Sequence, residues 1–189
     1  MQKFLMLSLL ASGVLLPCQA SDLGLGVTLG APGTTVYVPW KINPELRLEG
    51  SLSYRHHFSE TPPFAASTSG SGLMDIASSS TNLAAGLGVF WVRPMSEDTQ
   101  VNLGSRVEYL WSKQRLRVPM STPPDTQTHG YAISPTLGFE YFPIKSLSLG
   151  GEVGFSYTRT RTTDLGDWDY LVRQEHEGSF SRLILRYYF

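Results

Sequence analysis

The sequence predicts an all-β chain, a closed eight-stranded antiparallel transmembrane up-and-down β-barrel. Three observations predict it. Hydrophobic residues recur at period two in segment after segment, with no helical period anywhere past residue 20. Large apolar residues occupy one face of each segment, while Gly, Ser, Ala and Asn dominate the other. The connections also alternate between short turns and longer polar loops. Composition agrees. Charged residues make up 16% of the 189, with 18 glycines and a formal net charge of −1. The charge balance offers no basic stripe for nucleic acid. A mean hydropathy of −0.10 leaves no room for a bundle of membrane helices, each needing about 20 apolar residues.

The first twenty residues read as a cleaved secretory signal peptide. Lys3 precedes an uncharged apolar run from Phe4 to Leu16, and Pro17-Cys18-Gln19-Ala20 closes it. An N-terminal anchor is the alternative, but the run is too short to span a bilayer. Acylation at Cys18 is disfavoured by the proline before it. Cleavage after Ala20 leaves residues 21–189 as one domain with no cysteine, so disulfides and thiolate chemistry are excluded.

The segments follow in order. The first, 22–30, places Leu23, Leu25, Val27 and Leu29 opposite glycine and threonine, and Ala31-Pro32-Gly33 turns the chain. The second, 34–42, sets Val36, Val38, Trp40 and Ile42 on one face. The third, 46–57, alternates Leu46, Leu48, Leu52 and Tyr54 with Arg47, Glu49, Ser51, Ser53 and Arg55. A polar loop spans 58–79. The fourth, 81–94, carries Leu83, Ala85, Leu87, Val89 and Trp91. The fifth, 100–117, carries Val101, Leu103, Val107, Tyr109 and Trp111 against Asn102, Gly104, Arg106 and Glu108. After a proline-rich loop at 118–127, the sixth, 128–142, sets Tyr131, Ile133, Leu137, Phe139 and Tyr141 against small residues and Glu140. The seventh, 147–162, repeats the pattern around Glu152. The loop 163–170 leads to the eighth, 171–189.

A soluble sandwich also alternates, but its solvent face would carry many Lys, Glu and Thr. Here that face is small and sparsely charged, which suits the narrow interior of an eight-stranded barrel. Segments of this length cross a bilayer, and in lipid the sheet must close to satisfy its edges. Aromatic residues on the apolar face form two sets, as belts at two membrane interfaces do. Trp40, Trp91, Tyr141, Tyr187 and Phe189 lie by the short turns. Tyr54, Tyr109, Trp111, Tyr131 and Tyr157 lie toward the long loops.

The C-terminal run Gly178-Ser-Phe-Ser-Arg-Leu-Ile-Leu-Arg-Tyr-Tyr-Phe189, alternating through Leu183, Leu185 and Tyr187 to a terminal Phe189, resembles the last strand of Gram-negative outer-membrane proteins. The mature chain is similar in length, strand count and alternation to small barrels of the OmpA/OmpX/opacity type. The resemblance implies a bacterial outer-membrane location and a last strand, with Gly178, that is read by the outer-membrane assembly machinery. The tight connection at 31–33 departs from that pattern, where a long first loop is usual.

Candidate chemistry falls in three places. The inward faces carry Arg47, Glu49, Arg55, Arg106, Glu108, Glu140, Glu152, Arg182 and Arg186, expected to form a polar lumen network of paired charges. A gated pore is the alternative reading of the same residues. Arg115, Arg117, Arg159, Arg161 and Arg173 lie beyond the outer belt, where lipopolysaccharide phosphates are candidate partners. His56, His57, His129 and His176 sit near the long loops. His57 and Ser59 have the residue types for nucleophilic catalysis but match no active-site motif. Asp164, Asp167 and Asp169 lack the glycine and downstream glutamate of a calcium loop. The expectation is a monomeric, non-enzymatic outer-membrane protein with no cofactor or metal. Its role would be envelope integrity or contact with a surface ligand through its loops, with a small porin-like channel or a lipid-modifying enzyme as alternatives.

Overall fold

A computed structural model describes residues 22–29, 34–61, 76–117, 125–164 and 171–189. The expected leader, 1–20, the expected turn at 31–33, and loop residues 62–75, 118–124 and 165–170 lie outside the described residues. Eight strands run in chain order: β1 (Gly24–Leu29), β2 (Thr34–Asn43), β3 (Leu46–Thr61), β4 (Ile76–Pro94), β5 (Thr99–Arg117), β6 (Thr126–Ile144), β7 (Leu147–Asp164) and β8 (Leu171–Tyr188). Each pairs antiparallel with its neighbours, and β1 closes the ring against β8 from Gly24↔Tyr188 to Leu29↔Leu183. Closure leaves no edge at this level, as an apolar surround requires.

The strands differ from the sequence expectation mainly in length. The polar loop expected at 58–79 is shorter, because β3 and β4 pair as far as Thr61↔Ile76. Ser78, Ser79 and Ser80 are strand residues there. Polar composition hid them because that part of the hairpin rises past the apolar belt and need not alternate.

Following register partners around the ring from Leu185 leads through Val27, Val36, Leu52, Ala85, Tyr109, Tyr131 and Arg159 back to β8 at Glu175. The path returns ten residues from its start, a stagger that tilts the strands against the ring axis. One end of the ring carries the short turns after β2, β4 and β6. The other, hereafter the rim, carries the ends of the long strands.

The two faces separate cleanly. Outward lie Leu25, Val38, Leu52, Leu87, Val89, Leu103, Val107, Leu137, Val153 and Phe155, all exposed, with Leu87 at 73%. So much contiguous exposed apolar surface is foreign to a soluble monomer and natural in lipid. Inward lie most of the glycines, and the sheet needs them small. A Cβ on Gly26 would meet Arg186 Cγ at 2.8 Å, and one on Gly138 would collide with the Asn102 amide.

Replacing Leu87 with arginine places a charge on this outer face. In lipid vesicles L87R is expected to lose about 2–4 kcal/mol of unfolding free energy. Urea titration read by gel mobility checks this, and equal stability of L87R and the parent chain would contradict a lipid-facing belt.

Candidate functional site

The lumen is filled from the short-turn end to its middle by an ionic cluster. Alternation on five strands aims its members inward: Arg47 and Glu49 on β3, Arg106 on β5, Glu140 on β6, Glu152 on β7, and Arg182 and Arg186 on β8. Arg47, Glu49, Arg106, Glu140 and Arg186 are completely buried, and Glu152 nearly so.

Arg186 is the hub. Its Nη1 donates to Glu140 Oε1 at 2.7 Å, and its Nη2 to Glu49 Oε2 at 2.8 Å and Glu152 Oε1 at 2.7 Å. Its Nε adds a bond to Glu49 at 3.1 Å. One guanidinium on the last strand therefore ties together three carboxylates from three others. Arg47 donates to Glu140 at 2.5 Å, Arg106 donates to Glu49, and Arg182 Nε donates to Glu152 at 2.9 Å. Gln100, Asn102 and the Tyr188 hydroxyl donate to Glu140 at 3.0, 3.4 and 3.3 Å.

Four arginines meet three glutamates in this cluster, and aromatic faces take up part of the imbalance. The Phe90 ring meets the guanidiniums of both Arg47 and Arg106, at 5.2 and 5.1 Å. Tyr37 faces Arg106 and Arg182 at 5.1 and 5.4 Å. Lys41 sits over Tyr188 at 4.4 Å on the short-turn side. Ring faces attract cations most where water is excluded.

Two residues expected in this cluster stand apart from it. Arg55 shares the inward face of β3 but is exposed at the rim, beyond the reach of β2. Glu108 is half-buried, and its side chain meets Ser51 Oγ at 3.4 Å in place of a cation. In both, alternation gave the face and left depth undetermined. Tyr37, Phe90 and Tyr188 were missed as lumen residues. The signal was present: each lies between two outward residues, so period two points it inward.

The expected girdle residues Trp40, Tyr54, Trp91, Tyr109, Tyr131, Tyr141, Tyr187 and Phe189 are exposed on the outer face, while Trp111 and Tyr157 are half-buried there. Tyr187 and Phe189 stack edge-on at 5.5 Å. In the C-terminal run Leu183 is exposed, while Gly178 and Leu185 are half-buried.

The rim arginines fall into two groups. Asp125 holds Arg115 at 3.0 Å and Lys113 at 2.7 Å, and Glu175 holds Arg159 at 3.4 Å. Arg161 and Arg173, by contrast, are direct register partners, two exposed like charges side by side. Arg117 ends β5, and its side chain lies outside the described ones. His56 and His129 bond Thr81 and Tyr109 at 3.0 and 2.9 Å. His57 and His176 are exposed, and among the described residues no hydrogen bond joins a histidine to a serine. No group of three potential metal ligands occurs among the described residues. Asp167, Asp169 and the Asp164 side chain lie outside them.

Such a ring, apolar without and ion-paired within, has the fold of outer-membrane β-barrel proteins. It is similar to a major outer membrane protein from Thermus thermophilus, at 15% identity and a TM-score of 0.57, covering 90% of this chain and 100% of that one. CarO2 of Acinetobacter baumannii matches at 14% identity and a TM-score of 0.43 over 91% of this chain and 100% of that one. Ail, the attachment invasion locus protein of Yersinia pestis, matches at 11% and 0.37 over 89% and 94%. No protein-family model and no curated protein matches the sequence.

Arg186→Met removes the hub and takes a guanidinium partner from each of three buried carboxylates. The expected loss is about 3–5 kcal/mol of unfolding free energy in lipid vesicles. Pairing it with Glu49→Gln should cost less than the two separate losses summed. Additive losses would show that the two side chains do not interact.

Hydrogen bonds from Lys113 and Arg115 hold the Asp125 carboxyl below its usual value. A depressed folded value means that the bonds stabilise fully above the ordinary Asp range, near 3.9, and lose their effect as pH falls through the folded value. Exchange protection at the rim end of β5 and β6 should therefore fall on acidification below about pH 4. In Asp125→Asn this step should be absent.

Proposed function

We propose that the protein is a non-conducting, non-enzymatic barrel of the Gram-negative outer membrane, contributing to envelope integrity and using its rim for contact. The observation that carries this reading is the complete burial of side chains that fill the lumen. Arg47, Arg106, Arg186, Tyr37, Phe90 and Ile184 are completely buried across the section of the ring. A passage for ions would leave such side chains wet. Buried charge pairs that each satisfy several groups act as a plug that also fixes strand register.

Export by the leader at 1–20, recognition of the final strand by the assembly machinery, and a monomeric state complete the reading. They are supported by the sequence pattern and by a surface with one continuous apolar belt. At the rim, the Arg161/Arg173 pair supports contact with lipopolysaccharide phosphates, since two apposed cations gain from a shared anion. Arg115 and Arg159, held by carboxylates, are second in line.

Purified protein reconstituted in planar bilayers is expected to show no stable openings. Frequent, reproducible openings would replace the plug with a channel. Lipid A from cells with and without the protein should have the same mass spectrum, and a changed spectrum would reinstate an enzyme.

A further inference from the structure

The outer face of the ring carries a hollow across β5 to β8. Its volume is about 640 Å³, and it opens outward. Its walls are Leu103, Leu137, Val153 and Phe155, all exposed, with Phe155 at 71%. Its floor is made of small outward residues, Pro135 on β6 with Ser179 and Ser181 on β8. The two serines take the outward places between Leu183 and Glu177, so β8 adds no bulk there.

The wall is loosened beneath this hollow. The β6–β7 ladder keeps one register from Ile133↔Tyr157 to Thr136↔Gly154, yet Ser134 and Pro135 between them have no ladder partner on β7. Proline has no N–H to give. The lumen side backs the gap. A Cβ on Gly154 would strike the Pro135 carbonyl oxygen and the Phe180 ring. The Arg182 guanidinium lies 4.8 Å from that ring. The hollow is therefore a blind slot, and it leaves the ionic cluster undisturbed.

Depth decides what can enter it. On β6 the slot lies between the girdle residues Tyr131 and Tyr141, inside the apolar belt. A monomeric barrel meets acyl chains at that level. The rim cations lie within reach of the same lipid molecule. Arg161 is six residues on from Phe155 along β7. At about 3.3 Å per residue this is about 20 Å. A strand tilt of about 40° turns it into about 15 Å of height. That height is one leaflet of a hydrocarbon core about 30 Å thick. Arg161 is the register partner of Arg173 on one side and of His129 on the other. A phosphate held there places the end of a chain, inclined as the strands are, at the slot.

We propose that this hollow is an acyl-chain slot. It takes the end of one acyl chain of a lipopolysaccharide molecule whose phosphate is held by Arg161 and Arg173. A chain lying on a smooth belt is touched along one side. In the slot the small floor lets it sink between Leu137 and Phe155, so it gains contacts along its flanks as well. The wall is apolar and asks nothing polar of its occupant. The inference deepens the lipopolysaccharide reading and rests on it for the headgroup, while the slot itself rests on the hollow.

The test uses the full chain folded in detergent micelles, with purified lipid A as the probe. Native mass spectrometry should show lipid A retained saturably. Methyl resonances of Leu103, Leu137 and Val153 should shift along the same curve, while those of Leu48 and Leu52 on β3 stay in place. Ser181→Phe fills the slot and should weaken retention at least about tenfold, the equivalent of about two buried methylene groups. Ser179→Leu repeats the test if that variant does not fold, as judged by gel mobility. Leu52→Phe puts the same ring on the opposite side of the barrel and should bind lipid A as the parent does. Dimyristoyl phosphatidylglycerol should be retained more weakly than lipid A, and equal retention would overturn lipopolysaccharide as the occupant. Undiminished retention in the filled variants, or an equal loss in Leu52→Phe, would overturn the slot. The double variant Arg161→Gln, Arg173→Gln separates the two readings. It should also weaken retention. A loss there with none in Ser181→Phe would leave the rim contact standing without the slot, and no loss there would overturn the rim contact itself.

Discussion

A sheet that turns apolar side chains outward and closes on itself must fill the space it encloses. Eight strands leave just enough room for side chains, and that constraint governs the rest of the molecule. Its solution is uneven along the axis. Toward the short turns the filling is ionic and aromatic, with Arg186 bonded to Glu49, Glu140 and Glu152. Toward the rim it is hydroxyl-rich, with Thr128 bonded to Thr162 at 2.9 Å and Ser134 to Ser156 at 3.3 Å. The first half is completely buried, while the second is half-buried and lined by hydroxyl groups that suit contact with water.

Buried ion pairs are weak evidence of net stability, because desolvation offsets most of their attraction. Their consequence here is register. A slip of one residue on β3 would turn Arg47 and Glu49 into the apolar surround and Leu46 and Leu48 into the lumen. The same slip on β8 would expel Arg186 and break bonds to β3, β6 and β7 together. Closure by the last strand is thereby tied to strands it does not touch through its backbone.

Period two made the architecture legible, since it fixes which face each residue takes. It says nothing of height. Arg55 and Glu108 share the parity of Arg47 and Arg106 yet sit outside the cluster, Arg55 because β3 outlasts β2. Strand ends were misread for a related reason. Once Ser78 to Ser80 rise past the belt, no apolar partner selects their side chains, and a strand there has the composition of a loop. The lumen aromatics were obscured by a sound rule applied too widely. Aromatic residues do gather in outward belts, but a buried guanidinium with more N–H groups than its carboxylates take up favours a ring face, as Phe90 beside Arg47 and Arg106 illustrates.

The stagger of the strands links the ion-paired base to the uneven strand ends at the rim. Closure needs β1 to pair with β8 over only a short length, and Gly24 to Leu29 supplies it at the level where the apolar belt forbids a free edge. Above that level closure brings no such benefit, because water satisfies backbone groups that lipid cannot. A short first hairpin therefore costs the barrel little in stability. Among the described residues it leaves β8 and β3 paired on one side only at the rim, the end with hydroxyl-rich filling and apposed arginines. A longer hairpin of ordinary polar residues would have closed the wall without disturbing one contact of the ionic cluster. The shape of the rim is thus separable from what holds the fold together.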